Sequence, residues 1–146
     1  MNKVLLSSSD LAWTTPKSLF DFLDGHFSFT LDPCCVRENA LCKKFYTAEE
    51  DGLLQSWQGE RVFMNPPYGR DISLWVKKAY TEAQANSLVV GLLPARTETQ
   101  WWHKYIFNKA HVLFLKGRLK FGGIKKDAPF PSAVCIWWGA DRLGSW

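Results

Sequence analysis

Asn65, Pro66, Pro67 and Tyr68, followed by Gly69, carry the most specific chemistry in this 146-residue sequence. Pro67 restricts Pro66 to extended or polyproline geometry, and neither proline has an N–H to offer, so the Pro66 carbonyl is held in a fixed direction. The side-chain oxygen of Asn65 supplies a second acceptor nearby. Two acceptors at that separation match the two hydrogens of a planar –NH2 group. Tyr68 adds an aromatic face for stacking, and Gly69 lets the chain turn away without a side chain blocking the site.

An exocyclic amine or an amide nitrogen is a poor nucleophile, because its lone pair is delocalised. Acceptors that fix both hydrogens favour a pyramidal nitrogen and aim its lone pair at an electrophile. No general base is needed before attack, since the proton leaves easily once the nitrogen is positively charged. The electrophile that suits such a site without metal or ATP is the sulfonium methyl of S-adenosylmethionine. Its amino and ribose groups call for acidic or polar residues at neighbouring strand ends, and Asp32 and Asp51 are the available carboxylates. Asp51 is expected to accept from the cofactor's adenine amine.

These residues need elements to hold them. Thr14 or Thr15 caps a first helix over about 16–25, with Pro16 in its first turn. Residues 27–31 alternate with period two and halt at Asp32-Pro33, which predicts a strand delivering a carboxylate to its carboxyl end. A short helix is expected over 37–43. Residues 61–64 form a second buried strand that ends at Asn65. Ile72, Trp75, Val76, Ala79, Tyr80 and Ala83 then fall on one helical face, with Asp71 as cap and Asn86 as stop. The apolar run 87–93, closed by Pro94, reads as a central strand covered on both faces. Thr97 and Gln100 have capping-box spacing ahead of Trp101, Trp102, Tyr105 and Ile106. Strands over 111–115 and 133–138 finish the chain, with 118–121 as an extension or hairpin arm. The alternation predicts an α/β fold with a doubly wound, mainly parallel sheet and ligands at the carboxyl ends of its strands.

Composition narrows the class. Hydrophobic residues make up 47% and charged residues 22% of the sequence, which excludes a disordered or fibrous chain. Its length predicts a single domain over 1–146, with no separate target-recognition domain. The apolar stretches are too short for a signal peptide or membrane span, so a soluble, cytoplasmic protein with no membrane partner is expected. Eighteen Lys and Arg against 14 Asp and Glu give +4, an excess concentrated after Arg96 that suits a polyanionic partner. The cysteines (Cys34, Cys35, Cys42, Cys135) form no CxxC pair and the three histidines are scattered, so reduced thiols and no bound metal are expected.

The sequence resembles the phage-type DNA N6-adenine methyltransferases, the phage Dam enzymes, within the amino-methyltransferases marked by an (Asn/Asp/Ser)-Pro-Pro-Tyr signature. The likeness begins at Trp13-Thr14-Thr15-Pro16 and runs through Phe29-Thr30-Leu31-Asp32, Asn39-Ala40 with Cys42, Tyr46-Thr47 and Asp51-Gly52-Leu53. It continues through Asn65-Pro66-Pro67-Tyr68-Gly69-Arg70, Leu92-Leu93-Pro94-Ala95-Arg96-Thr97, Gly117-Arg118-Leu119-Lys120-Phe121 and Ala128-Pro129-Phe130. The resemblance implies a Rossmann-like S-adenosylmethionine-dependent methyltransferase fold and methyl transfer to N6 of adenine in DNA, with the base flipped into the Asn-Pro-Pro-Tyr pocket. Asn65 and the Pro66 carbonyl would hold the amine and Tyr68 would stack on the base. Trp13, Thr15, Pro16, Asp32, Pro33, Asp51 and Asn65 are the expected cofactor contacts.

Two departures stand out. Asp32-Pro33 is followed by Cys34-Cys35-Val36-Arg37, with no glycine-rich loop, and the stretch from Asp32 to Asn65 is too short for two full strand–helix units. The cofactor half is therefore abbreviated. Arg70, Arg96, Arg118, Lys120, Lys125 and Lys126 are the expected DNA contacts, with a second subunit of a homodimer as the other source of base contacts. A phage-encoded enzyme would work in the host cytoplasm. Two alternatives share the motif: transfer to RNA or to a protein glutamine, and a DNA-binding module of the same fold with weak or lost turnover.

Overall fold

Leu88–Pro94 forms a seven-residue strand with every residue buried, as a run lacking a polar face requires. The computed structural model describes residues 13–122 and 127–139, so Lys125 and Lys126 lie outside the described residues. The strands are β1 (Leu31–Asp32), β2 (Lys44–Phe45), β3 (Arg61–Met64), β4 (Leu88–Pro94), β5 (His111–Phe114) and β6 (Ser132–Trp137). They make one six-stranded sheet in the order β2-β1-β3-β4-β6-β5. β2, β1, β3 and β4 pair in parallel, while β6 runs antiparallel between β4 and β5. The result is a mixed α/β architecture with a mostly parallel sheet, compatible with a methyltransferase-like fold.

Side-chain alternation along the strands feeds two cores, one on each face. Val62, Met64, Val89, Cys135 and Trp137 point to the face covered by α2 (Ile72–Gln84) and α3 (Gln100–Tyr105). The stripe predicted for α2 is the one that packs: Ile72, Trp75, Val76, Ala79 and Ala83 are all buried. Phe63, Val90, Leu92 and Val134 point to the other face, which α1 (Lys17–Phe27) covers with Phe20 and Leu23. Each such large side chain contributes about 1.5–3 kcal/mol on burial. Among the described residues no helix is long and apolar enough to cross a membrane.

Several local expectations are corrected. The strand expected over 27–31 shrinks to Leu31–Asp32, because α1 continues to Phe27 and Ser28 closes it in a left-handed conformation (φ 52°). The alternating Phe27 and Phe29 are instead neighbours in an aromatic wedge, with Phe29 reaching Phe63 at 5.3 Å between ring centroids. The helix expected over 37–43 is only a single turn, Arg37–Asn39, followed by the edge strand β2. Pro16, not a threonine, occupies the N-cap of α1, and no side chain caps it. Thr99, not Thr97, caps α3 by accepting from the Trp102 N–H. Residues 118–121 form no strand; next to them Gly122 makes an isolated antiparallel bridge to Thr14.

The strand order reverses between β1 and β3. From β1 the chain moves outward to β2, and from β3 it moves the opposite way to β4. Parallel sheets part their loops at such a point, leaving a crevice at the carboxyl ends. Asp32 ends β1 and Asn65 follows β3, so both strand ends open onto that crevice.

Candidate active site

A cavity of about 1030 Å³ fills the crevice. All four motif residues line it, as do Trp13, Thr15, Asp32, Pro33 and Asp51; Pro16 does not. Nine of the residues singled out from sequence thus meet around one space. Its volume is ample for a nucleoside-sized ligand.

Asn65 emerges from the buried end of β3 with its amide already oriented. Its Nδ2 donates to the Trp13 carbonyl at 2.8 Å and to the Thr15 hydroxyl at 3.0 Å. A carbonyl only accepts, so the amine end of the amide must face it, and the amide oxygen must point the other way. That Oδ1 is buried and has no hydrogen-bond partner among the described residues. Leaving a buried acceptor unpaired costs about 1–3 kcal/mol, a cost that a donor brought to this oxygen would relieve.

Tyr68 is anchored at its far end, where its hydroxyl donates to the Leu92 carbonyl at 3.1 Å. Burial, with smaller effects of Cys34 and Cys135, holds the phenol well above its usual pKa, so it stays neutral and serves through its ring. Trp13 lies nearly parallel to that ring (27°, centroids 6.4 Å apart), and Phe130 meets it edge-on at 5.3 Å. Phe121 and Phe130 also pack against Trp13, at 5.2 and 5.1 Å.

The opposite wall is built around Asp32. Its carboxylate accepts from the Leu41 N–H at 3.1 Å and the Cys34 N–H at 3.4 Å, which ties down the loop over 33–41 without a glycine-rich turn. Burial raises its pKa to about 6, against the lowering effect of those two N–H groups. Asp51 sits at positive φ (56°) at the start of the turn Gly52–Leu54, and its carboxylate accepts from the Leu53 N–H at 3.1 Å. The buried Trp57 indole donates to the Gly52 carbonyl at 3.0 Å, fixing the turn from below. Burial, aided by Asp32, keeps the Cys34, Cys35 and Cys42 thiols protonated, which suits neither nucleophile nor metal ligand. Among the described residues no cluster of three or more His, Cys, Asp or Glu could hold a metal ion.

The basic residues stand apart from this cavity. Arg70, Arg118 and Lys120 are exposed, and exposed Arg96 lines a smaller hollow of about 290 Å³ on the side of Tyr68 next to Gly69 and Phe130. Lys17 and Asp21, which the sequence reading passed over, also line the main cavity and pair with each other at 2.5 Å. Their i, i+4 spacing at the start of α1 was the available signal. Thr47 and the backbone around Leu41 complete the wall, and only the Asp32 hydrogen bonds reveal the latter.

An oriented asparagine amide, an anchored tyrosine and two carboxylates thus line one crevice of a mixed α/β fold with a mostly parallel sheet, compatible with a methyltransferase-like fold. Residues 2–133 match the family described as DNA N-6-adenine-methyltransferase (Dam), and the chain belongs to that family. It is 33% identical over 109 residues to the DNA N-6-adenine-methyltransferase of Escherichia phage T1, an alignment covering 73% of this chain and 45% of that one. To the DNA N-6-adenine-methyltransferase of Haemophilus phage HP1 (strain HP1c1) it is 31% identical over 111 residues, covering 75% and 64%. The chain thus spans about half to two thirds of the length of these curated relatives.

Proposed function

We propose that this protein transfers the methyl group of S-adenosylmethionine to the N6 amine of adenine in DNA, on an abbreviated Rossmann-like, doubly wound fold. The observation that carries the reading is the Asn65 amide, turned by Trp13 and Thr15 so that its Oδ1 is left without a partner among the described residues and can take one hydrogen of an amino group. The Pro66 carbonyl is the second acceptor. Between them they hold both N6 hydrogens and turn the nitrogen lone pair toward the cofactor side of the cavity. Tyr68, held by Leu92, offers its face to the base.

The residues present fit the cofactor: the cavity is large enough, and Asp32, Asp51 and Thr47 give it a polar wall, while the Thr15 hydroxyl is already engaged by Asn65. When bound, S-adenosylmethionine supplies an electrophilic sulfonium methyl. Asn65 and the Pro66 carbonyl would hold the amine that takes this methyl, and the proton the amine sheds would pass to water. No histidine lines the cavity, and none is required, because the proton leaves after the nitrogen has become cationic. Reaching adenine in a duplex requires extruding it, at a cost of a few kcal/mol that stacking on Tyr68 offsets in part. Exposed Arg70, Arg96, Arg118 and Lys120 hold phosphates, with Lys125 and Lys126 assigned the same role from sequence.

The test is expression in a host that lacks adenine methylation, followed by sequencing of genomic DNA for modified adenines. The proposal expects N6-methyladenine in a defined context. Methyl label from S-adenosylmethionine in RNA or in glutamine amides, with none in DNA, overturns the substrate. Salt-dependent DNA binding with no cofactor binding overturns the activity.

A further inference from the structure

Two of the residues expected to touch the cofactor make a different contact. Both hydrogens of the Asn65 amide are taken from within the chain, one by the Trp13 carbonyl and one by the Thr15 hydroxyl. We propose that the 13–15 segment is a clamp that sets the direction of the Asn65 acceptor, with Thr15 as a positioning residue for amino-group transfer. This inference rests on the function proposed above.

An asparagine amide is close to symmetric in shape, and a half-turn about its last bond exchanges oxygen for nitrogen. Exchanged, it would present two N–H donors to a substrate amine that is itself a donor, and binding would fail. The Trp13 carbonyl opposes the exchange, because an oxygen turned toward it meets a second lone pair with no proton between them. The Thr15 hydroxyl adds a second neutral hydrogen bond in the productive orientation. It also aligns the amide plane, since two acceptors on different atoms fix two N–H directions where one fixes a single direction.

The segment is itself anchored. The Thr14 hydroxyl donates to the Gly122 carbonyl at 2.8 Å, and the Gly122 N–H donates back to the Thr14 carbonyl at 2.9 Å. The Trp13 ring packs against Phe121 and Phe130. The clamp is thus pinned at the ring of the residue that supplies its carbonyl and at the backbone of the next one, so Asn65 meets a fixed surface.

Thr15→Val keeps the shape and removes the hydroxyl; Thr15→Ser keeps the hydroxyl. Exchange of the Asn65 side-chain amide protons, followed by NMR on the cofactor-free protein, reads the clamp without any reaction. Wild type and Thr15→Ser are expected to protect these protons, and Thr15→Val to lose most of the protection. In methyl transfer, Thr15→Val is expected to lower kcat about tenfold, the equivalent of one neutral hydrogen bond, while S-adenosylmethionine affinity stays the same and Thr15→Ser restores turnover. Unchanged protection in Thr15→Val overturns the proposal, as does a loss of cofactor affinity with kcat intact. A wild-type protein that protects the Asn65 amide but methylates no DNA leaves the clamp standing and overturns the function.

Discussion

Gly52 lies so close to Pro33 that a Cβ at residue 52 would sit 2.0 Å from the Pro33 carbonyl oxygen. This contact joins the turn that carries Asp51 to the loop that leaves β1, and so sets the width of the cavity between two of its carboxylate-bearing walls. Gly52→Ala must push the two backbones apart, at about 1–3 kcal/mol. A lower Tm together with weaker S-adenosylmethionine binding by calorimetry is the expected result. An alanine variant with both values unchanged contradicts the packing.

Asp32 gives the site a pH signature. As a carboxylate it accepts from Leu41 and Cys34; when protonated, one of its oxygens becomes a donor and one N–H loses its partner. Hydrogen-exchange protection of the Leu41 amide, corrected for the intrinsic pH dependence of exchange, is therefore expected to fall as pH drops through about 6. The linkage to stability has the opposite sense. Burial raises the folded-state pKa above the ordinary aspartate value of 3.8, so the native state holds the proton more tightly than the unfolded chain. This group's contribution to stability is full below pH 3.8 and is lost as pH rises to about 6. Asp32→Asn should remove that slope from the stability profile, and its persistence would assign it to another group.

The exposed cations should act as phosphate contacts with no sequence information. Arg118→Gln and Lys120→Gln are each expected to weaken DNA binding about equally on different sequences and to reduce the slope of log K against log salt by about one. Binding isotherms at several salt concentrations check this. An unaltered slope in both variants removes residues 118–120 from the DNA-binding surface.

What the sequence made legible follows physical range. β3, β4 and α2 were readable because each satisfies its burial locally: β4 is apolar throughout, and α2 shows its packed stripe at helical spacing. The two-residue β2 was not, since backbone pairing to β1 alone defines it and leaves no side-chain pattern. Residues 27–31 misled because period-two aromatics can line an irregular wedge as well as a strand. Of the nine cavity residues, Asp32, Pro33 and the four of the Asn-Pro-Pro-Tyr motif were legible as strand-end or motif residues, Asp51 as a carboxylate ahead of β3, and Trp13 and Thr15 only through the family resemblance. Their partners were hidden by distance along the chain: nothing in the local sequence of Asn65 points to Trp13 and Thr15, and nothing near Asp32 specifies that Leu41 returns to it.

The Asn65 acceptor is the centre of the account, and Asn65→Ala addresses it directly. Nucleoside mass spectrometry of DNA incubated with S-adenosylmethionine should detect N6-methyladenine from the wild-type protein. The variant, checked to be folded and still able to bind the cofactor, should form it at least about a hundredfold more slowly, the scale found for removing a preorganised polar contact to a transition state. Comparable N6-methyladenine formation by the alanine variant would contradict the assignment of that oxygen to the reacting amine.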